Sequence, residues 1–319
     1  MSTGSTKKAE ASDNSPKIML RTVRPTDIEA VQHLYTTTMF ALVPEGVRRK
    51  LWSISTWVIW FAGYSGIMLL IPALLVHQFG LIKESSHWLT IIKVIFTFLW
   101  AVIAFSTMFI ITERFEMVDK VEQGLKNDLD NIDNVYLQQP EEGNDNKEPT
   151  GHFWVLLAGE DICGMLGLAP SSPSPIYDQR PSILPIWKQV LMAFGLPLSS
   201  SPNQNEQGKK EIIPSQPPQT ATIVRWAIAN EYQRCGLSSL LIHRAMTWAH
   251  ESGLTEVYAI TNEVEMAAEQ ILEKRHGFKL VTKKKLGWFG SYECIWRCSV
   301  DTWIEKNKNH VNSKFTQRK

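Results

Sequence analysis

The sequence predicts an α/β fold, of the mixed α+β kind, that is interrupted by a pair of membrane-spanning helices. Residues 221–253 have the pattern of a strand, a loop and a helix. Short strand and helix patterns alternate through the other polar parts of the chain. Two long apolar runs lie between residues 51 and 112, where a second strand would otherwise be expected.

Composition excludes several classes of protein. The formal net charge of +1 provides no general attraction to nucleic acid, so no nucleic-acid partner is expected. The four cysteines, at 163, 235, 294 and 298, include no Cys-x-x-Cys pair. They therefore indicate neither a zinc ribbon nor a disulfide framework, and reduced thiols facing the cytosol fit this pattern best.

The loop inside residues 221–253 carries the clearest functional signal. Ile223, Val224, Trp226 and Ile228 favour a strand, and a helical spacing of apolar residues begins after Gly236. The segment between them, Gln-Arg-Cys-Gly-Leu-Ser at 233–238, fits the pattern Gln/Arg-x-x-Gly-x-Gly/Ala with serine in the last place. The unpaired amides of a helix start can bind a phosphate group, and they predict an anion site here. No Gly-x-Gly-x-x-Gly or Walker pattern is present.

The two apolar runs predict a transmembrane hairpin. Residues 51–82 contain no Asp, Glu, Lys or Arg, and residues 94–112 form a second run of nineteen. Each approaches the roughly 20 residues that cross a bilayer, whereas two buried core helices are the less favoured alternative at this length. The connector, about 77–87, is short, so both outer ends lie on one side. More Lys and Arg flank those outer ends than the tip, which predicts that both termini are cytosolic.

These patterns divide the chain into seven segments. Ten of the sixteen prolines fall between residues 170 and 218, which predicts a largely disordered insertion. In chain order the segments are a disordered tail (1–16), a first strand and helix (17–50), the hairpin (51–112), a continuation of the α/β domain (113–169), the Pro/Ser-rich insertion (170–220), the core (221–300) and a charged tail (301–319).

Outside the hairpin and the insertion, the chain resembles the GCN5-related N-acetyltransferase superfamily. The order of strands and helices is that of the superfamily, and the hairpin between the first two helices resembles its camello-like, membrane-anchored branch of cysteinyl-conjugate and lysine N-acetyltransferases. Local matches are Met39 and Pro44, Asp-Leu-Asp-Asn-Ile at 128–132, Tyr136-Leu137, Phe153-Trp154-Val155, Arg225-Trp226-Ala227-Ile228, Gly253 and His276-Gly277-Phe278. The resemblance covers about residues 18–300, less the insertion.

This resemblance implies the donor and the residues that bind it. The donor would be acetyl-CoA, as a co-substrate and without a metal; His243 and His250 share a helix face with no third ligand in sight. A bulged strand would offer the backbone amides of Trp226, Ala227 and Ile228 to the thioester and the pantetheine arm. The pyrophosphate would bind the loop residues Gln233, Arg234, Cys235, Gly236, Leu237, Ser238 and Ser239.

Acetyl transfer from a thioester needs a base for the amine, and the family often supplies a tyrosine that protonates the departing thiolate. Counted back from Gly277, the positions of the family's second motif hold Met266, Glu269 and Leu272-Glu273, and no tyrosine is present. The remaining acid or base candidates are Glu231 beside the loop, Tyr258 on the next strand and Glu273.

Two functions follow from these observations. The first is a membrane-anchored N-acetyltransferase that acetylates a primary amine, either a small molecule or lysine, at the cytosolic face of the endoplasmic reticulum or another endomembrane. The second is a catalytically weak or inactive module that binds CoA or a partner at the membrane, which the missing tyrosine favours. The lipid bilayer is the expected surroundings in both cases, and the sequence leaves a homo-oligomer open. Two helices with one lysine near an end provide no polar pathway for a channel.

Overall fold

A seven-stranded mixed sheet forms the centre of the protein. The computed structural model describes residues 18–73, 87–137, 151–170, 177–178, 210–211, 213, 216–286 and 290–315. The strand order is β1-β2-β3-β6-β7-β9-β8, and only β6 and β7 pair in parallel. The strands are β1 (Ile18–Thr22), β2 (His152–Ala158), β3 (Asp161–Pro170), β6 (Thr220–Ile228), β7 (Glu256–Asn262), β8 (Lys279–Lys285) and β9 (Tyr292–Ser299). A separate two-stranded ribbon pairs β4 (Tyr177–Asp178) with β5 (Lys210–Glu211).

Helices occupy both faces of the sheet and the segment before β2. In order they are α1 (Ile28–Phe40), α2 (Val43–Leu51), α3 (Ile54–Ala73), α4 (His87–Ile110), α5 (Val118–Lys126), α6 (Ile132–Tyr136), α7 (Leu237–Glu251), α8 (Met266–Gln270) and α9 (Val300–Phe315). A π-helical turn, Ile111–Met117, joins α4 to α5, and a second, Ile271–Arg275, follows α8. The mixed fold that the sequence predicts is therefore confirmed.

The sheet has a hydrophobic core on each face because its central strands are apolar on both sides. In β2, Trp154 and Leu156 pack into the core under α7, while Phe153 and Val155 pack into the core under α1, α5 and α6. All four side chains are at most 2% exposed. This double burial explains why β2 and β3 are almost continuously apolar and do not alternate.

Strands β6 and β7 separate after a short parallel contact. Their register runs only from Thr220 opposite Glu256 to Ile223 opposite Ala259. The remaining residues of both strands continue without pairing to each other, although β6 keeps β3 and β7 keeps β9 as neighbours. A cleft therefore opens between the carboxyl ends of the two strands, at the centre of the sheet.

Helices α3 and α4 pack against each other and expose apolar side chains. Gly63 lies under Trp100, where an added Cβ would come within 2.7 Å of the indole ring. The hydroxyls of Tyr64 and Thr97 are 3.1 Å apart. Phe61 and Phe98 are 63% and 71% exposed, an apolar surface typical of a membrane or protein contact.

One helix of the described chain, Thr90–Lys126, is long and apolar enough to cross a membrane. A second would be counted if the bent pair Pro25–Leu51 and Ile54–Leu70, which meet at 71°, is taken as one span. The predicted connector, 77–87, and most of the predicted insertion, 170–220, lie outside the described residues.

The C-terminal segment differs from its prediction as a charged tail. Residues Val300–Phe315 form α9, which packs against α7. Trp303 is 1% exposed and lies in the core beneath α7. Asp301, Glu305 and Lys306 are exposed, and the few apolar anchors, Val300, Trp303 and Ile304, are sufficient to dock the helix.

Candidate active site

The cleft between β6 and β7 is the site of a cavity of about 550 Å³. Its walls come from the open ends of the two strands, from α1 and α5 on one side, and from α8 and β9 on the other. The lining includes Tyr35, Thr38, Met39, Leu42, Glu116, Asp119, Lys120, Gln123, Asp128, Val224, Arg225, Trp226, Ala227, Ile228, Gln233, Ile260, Thr261, Asn262, Glu263, Glu265, Ala267, Ala268, Leu272, Leu286 and Glu293. The cleft is therefore large enough for a substrate and is not filled by side chains.

A β-bulge in β6 turns part of the strand toward this cavity. Met165 of β3 is opposite Ala227, while Gly167 is opposite Val224, so Leu166 faces two residues, Arg225 and Trp226. Arg225 has a φ of 51°, in the left-handed region that a side chain disfavours. An extra residue in a bulge is left unpaired and disrupts the ladder locally. Of the residues that the sequence predicts to bind the thioester, Trp226 lies in the bulge, whereas Ala227 and Ile228 pair with Met165 and Gly164 of β3.

The Arg225 side chain is held by two residues from distant parts of the chain, one of which is bonded by a third. Its Nε and Nη2 donate to the two carboxylate oxygens of Asp128 at 2.8 and 2.6 Å. Its Nη1 donates to the Tyr35 hydroxyl at 2.7 Å, and the Tyr136 hydroxyl donates to Asp128 at 2.6 Å. Charge-assisted bonds of this kind contribute about 1.5–3 kcal/mol each. They can therefore offset the roughly 1–2 kcal/mol cost of a left-handed arginine.

The loop before α7 presents unpaired amides. Gly236 is the N-cap of α7 with a φ of 79°, and no side chain caps this helix. Within the part of the chain that the structure describes, the amides of residues 234–238 have no hydrogen-bond acceptor. A Cβ added at Gly236 would meet nothing within 4 Å, so there is open space beside the loop. The Ser239 hydroxyl is buried and also lacks a partner among the described residues. These features fit a phosphate group.

None of the three residues that the sequence suggests for acid or base chemistry lines the cavity. Glu231 is exposed in the short 3₁₀ turn Asn230–Tyr232. Tyr258 is in the paired part of β7, and its hydroxyl donates to Glu256 at 2.9 Å. Glu273 is exposed on the π-helical turn after α8. The structure therefore does not bring these three residues together around the cleft, and their catalytic roles stay predictions.

Glu265 lines the cavity, and its environment raises the pKa of its carboxyl. It precedes α8, and its Oε2 accepts the Asn262 amide at 3.0 Å. Burial raises the pKa of Glu265, and the charges of Glu263 and Glu269 add to this, while Lys120 opposes it. A carboxyl with a raised pKa is suited to accept a proton near neutral pH. Sequence reasoning missed Glu265 because nothing in its local pattern distinguishes it from a helix-capping residue.

Sequence reasoning also assigned no role to Tyr35, Asp128, Tyr136 or Arg225. Three of them, Asp128, Tyr136 and Arg225, appear among the family matches, but only as matches. Arg225 lies 97 residues from Asp128 and 190 from Tyr35, so only the folded chain shows that they meet. Burial raises the pKa of Tyr136 well above its usual range, so this tyrosine stays a neutral donor to Asp128.

A sheet that opens between two parallel strands, a β-bulge beside the opening and a helix start with unpaired amides fit an acyltransferase that binds its donor through the backbone. The comparisons with known proteins agree with this class. The model of the acetyltransferase (GNAT) family matches residues 118–278. No curated protein matches the chain by sequence.

Solved structures of the same family resemble the fold at low identity. One is an acetyltransferase of the GNAT family from Staphylococcus aureus Mu50, 10% identical, with a TM-score of 0.39 over 89% of this chain and 99% of that one. Another is an N-acetyltransferase from the same source, 10% identical, with a TM-score of 0.36 and the same coverage. The ribosomal-protein-S18-alanine N-acetyltransferase from Escherichia coli is 12% identical, with a TM-score of 0.29 over 46% of this chain and 68% of that one.

The family model covers half of the chain, including the bulge, the loop and the strands of the cleft. The chain therefore belongs to the acetyltransferase (GNAT) family and is an acetyl-CoA-dependent N-acetyltransferase.

Proposed function

We propose that this protein is a membrane-anchored N-acetyltransferase that acetylates a primary amine at the cytosolic face of an endomembrane. The observation that carries the proposal is the cleft between β6 and β7, whose lining includes the β6 bulge and Gln233 of the loop with unpaired amides. The acceptor class is a small-molecule amine, such as a cysteine S-conjugate, or a lysine side chain, as in the camello-like branch that the sequence resembles.

The backbone would bind the donor. The amides of residues 234–238, with Gln233 and Ser239 at the two ends of the loop, would hold the pyrophosphate of acetyl-CoA, and the exposed Arg234 would add positive charge. The amide of Trp226 in the bulge, with those of Ala227 and Ile228 just after it, would bind the thioester, on whose oxygen negative charge develops during attack, and the pantetheine arm. This arrangement needs no metal, because the donors are neutral amides and the leaving group is a thiolate.

Glu265 would accept the proton of the attacking amine. It lines the same cavity as the bulge, and its raised pKa suits a general base. Attack needs a neutral amine, so a base within the cleft is required at neutral pH. Because the family's tyrosine is absent, the departing thiolate would take its proton from another donor, such as water. A thiolate is weakly basic enough to leave before it is protonated.

The anchoring part of the proposal rests on α3 and α4. These helices pack against each other and expose apolar side chains, with α2 before α3 and the π-helical turn and α5 after α4. Arg48 and Arg49 lie in the last turn of α2, just before α3. Positively charged residues beside a membrane span favour the cytosolic side. The cavity wall residues Glu116 and Lys120 lie only six and ten positions after the last residue of α4, roughly 9 and 15 Å along a helix. The cleft would therefore open close to the bilayer surface.

Acetyl transfer by the full chain in lipid nanodiscs tests this proposal. The protein is incubated with radiolabelled acetyl-CoA and, separately, with S-benzylcysteine and with a lysyl peptide. We expect label to be transferred to the amine of at least one acceptor. Stabilisation by CoA in a thermal melt without transfer to either amine would support the CoA-binding module instead, and the absence of both responses would overturn the donor site.

A further inference from the structure

We propose that Arg225 is a positioning residue for acetyl transfer, which acts by holding the β6 bulge in the conformation that presents its amides to the thioester. Arg225, Asp128, Tyr35 and Tyr136 form a hydrogen-bonded cluster that is called here the Arg225 clamp. Arg225 is the bulged residue itself, with a φ of 51°. Its side chain is therefore attached to a backbone position whose conformation is unfavourable for a residue with a side chain.

The clamp opposes a return to the regular strand. Asp128 receives two parallel bonds from the guanidinium, a geometry that fixes direction as well as distance. Tyr35 receives a third bond and also lies against the guanidinium, with 5.0 Å from the Cζ atom to the ring centre. If β6 straightened, the Arg225 side chain would leave these partners, and Asp128, which is 1% exposed, would remain as a buried charge without its cation.

The same geometry argues against direct contact with the reactants. Nε, Nη1 and Nη2 of Arg225 all donate to protein groups, and its side chain is 13% exposed. The guanidinium is thus committed to the clamp, while the neighbouring residues Trp226 and Ala227 line the cleft. Arg225 acts through the backbone and is not assigned a catalytic role.

The clamp also ties the bulge to the helix that continues from α4. The Tyr35 hydroxyl donates to the carbonyl oxygen of Lys120 at 3.2 Å, and Lys120 lies in α5. Tyr35 can approach α5 because residue 124 is glycine, where a Cβ would lie 2.5 Å from the tyrosine ring. The bulge is therefore braced by segments on both sides of the hairpin, α1 before it and α5 after it.

Two double variants separate positioning from other roles. R225G/D128N and R225A/D128N both remove the ion pair without leaving a buried carboxylate, and the asparagine that replaces Asp128 can still accept the Tyr136 hydroxyl. Glycine adopts a φ near 51° without strain, whereas alanine does not. We expect the alanine variant to have a kcat about tenfold below that of the glycine variant. The Kd for CoA, measured by calorimetry, should be the same in both, because the loop at 233–239 is intact.

A spectroscopic measurement reports on the bulge without an acceptor. The infrared stretch of a ¹³C-labelled thioester carbonyl in bound acetyl-CoA should shift to lower frequency in the wild type and in the glycine variant, and this shift should be reduced in the alanine variant. Equal kcat and equal carbonyl shifts in the two variants would overturn the proposal. If the double variants do not fold, Y35F is measured in their place. We expect Y35F to have a lower kcat than the wild type, and an unchanged kcat would contradict the proposal.

R21A/D27N is the matched control. Arg21 and Asp27 form another bidentate pair, with Nη2 to Oδ1 at 2.9 Å, and neither residue lines the cavity. We expect its melting temperature to fall while kcat and the carbonyl shift stay at the wild-type values. A control that lost kcat in parallel with the Arg225 variants would show that general destabilisation explains their loss, and would overturn the proposal.

Discussion

Arg225, Arg234 and Gly236 have left-handed backbone conformations at the proposed donor site, and Arg225 and Gly236 adopt theirs for different reasons. Gly236 adopts a φ of 79° freely because it has no side chain. Arg225 adopts a φ of 51° because Asp128 and Tyr35 hold its guanidinium. The first is a property of one residue type, and the second is a property of a cluster. Glu265 is a third decisive residue, because its burial in the cavity wall raises its pKa.

Substitution of Gly236 tests the phosphate site. G236A places a methyl group beside the loop amides and strains their conformation, so we expect the KM for acetyl-CoA to rise about tenfold, or ~1.4 kcal/mol of binding. G253A is the matched control, because Gly253 has a φ of 73° and equally open space but follows the far end of α7. Both variants should lose similar melting temperature. Equal rises in KM would argue against a phosphate at Gly236.

Substitution of Glu265 tests the proposed base. E265Q should lower kcat by about 10²–10⁴, because general base catalysis contributes that much. The thermal stability of E265Q, unlike its kcat, should not decrease. The raised pKa means that the protonated carboxyl stabilises the folded state below the unfolded pKa, and that this contribution is lost as pH rises through the folded pKa. At pH 8 the variant should therefore melt at or above the wild-type temperature.

E231Q, Y258F and E273Q complete this comparison, since the sequence suggests these residues and none of them lines the cavity. Measured at pH 8 with the same amine, we expect each to retain more of the wild-type kcat than E265Q. If one of them lost more activity than E265Q, the base or acid suggested by the sequence would be favoured over Glu265.

At the scale of elements, the helix from α4 to α5 joins the apolar segment to the catalytic cleft. The π-helical turn Ile111–Met117 lies between them, at the change from apolar to charged sequence. Lys50 of α2 donates to Thr112 and forms an ion pair with Glu116 at this turn. Because Lys50 is 4% exposed, the pair is a buried polar contact that fixes α2 against the turn. Insertions in α-helices of this kind often mark functional positions.

Cysteine labelling tests the orientation of these elements. All four cysteines lie in the described ranges; Cys163, Cys294 and Cys298 are buried and Cys235 is exposed. In sealed vesicles with the cytosolic face outward, an impermeant maleimide should label Cys235 without detergent. In a C235S background, S85C lies in the predicted connector of the hairpin and should be labelled only after permeabilisation. Labelling of S85C in intact vesicles would contradict the transmembrane hairpin.

The whole molecule has one hydrophobic core on each face of the sheet, and the two cores differ in the polar groups they contain. The core under α7 and α9 includes Trp154, Trp303 and Phe278, and the core under α1, α5 and α6 includes the Arg225 clamp. The first core contains polar atoms without partners among the described residues, namely both ring nitrogens of His276 and the Trp303 indole nitrogen. Burial lowers the pKa of His276, and that of His152, to about 4.

These two histidines predict sensitivity to acid. Because their folded pKa lies below the unfolded value of 6.5, the unfolded chain binds more protons between pH 6.5 and about 4. Stability should therefore be full above pH 6.5 and fall with decreasing pH, by roughly 1.4 kcal/mol per pH unit for each proton at most. Thermal melts of H276F should show a smaller loss over this range, whereas H33Q, at an exposed position, should match the wild type. An unchanged acid loss in H276F would contradict this assignment.

Features that depend on short-range spacing follow from the sequence alone. The strand, loop and helix of 221–253, the β2–β3 hairpin and the two apolar helices all follow from the identity of neighbouring residues, because helix and strand periods are local. Gly236 marks the end of the loop for the same reason. The C-terminal helix α9 is the exception, because charge dominates its composition and only its packing on α7 shows that Val300 and Trp303 are anchors.

Features that depend on residues far apart in the sequence can be seen only in the folded chain. The depth of the cleft follows from where β6 and β7 stop pairing, and the Arg225 clamp joins positions 35, 128, 136 and 225. Burial, which sets the pKa of Glu265, His152 and His276, is also a property of the folded chain. Such contacts have no period in the sequence, because loop closure can bring almost any two segments together at a cost that grows only slowly with their separation.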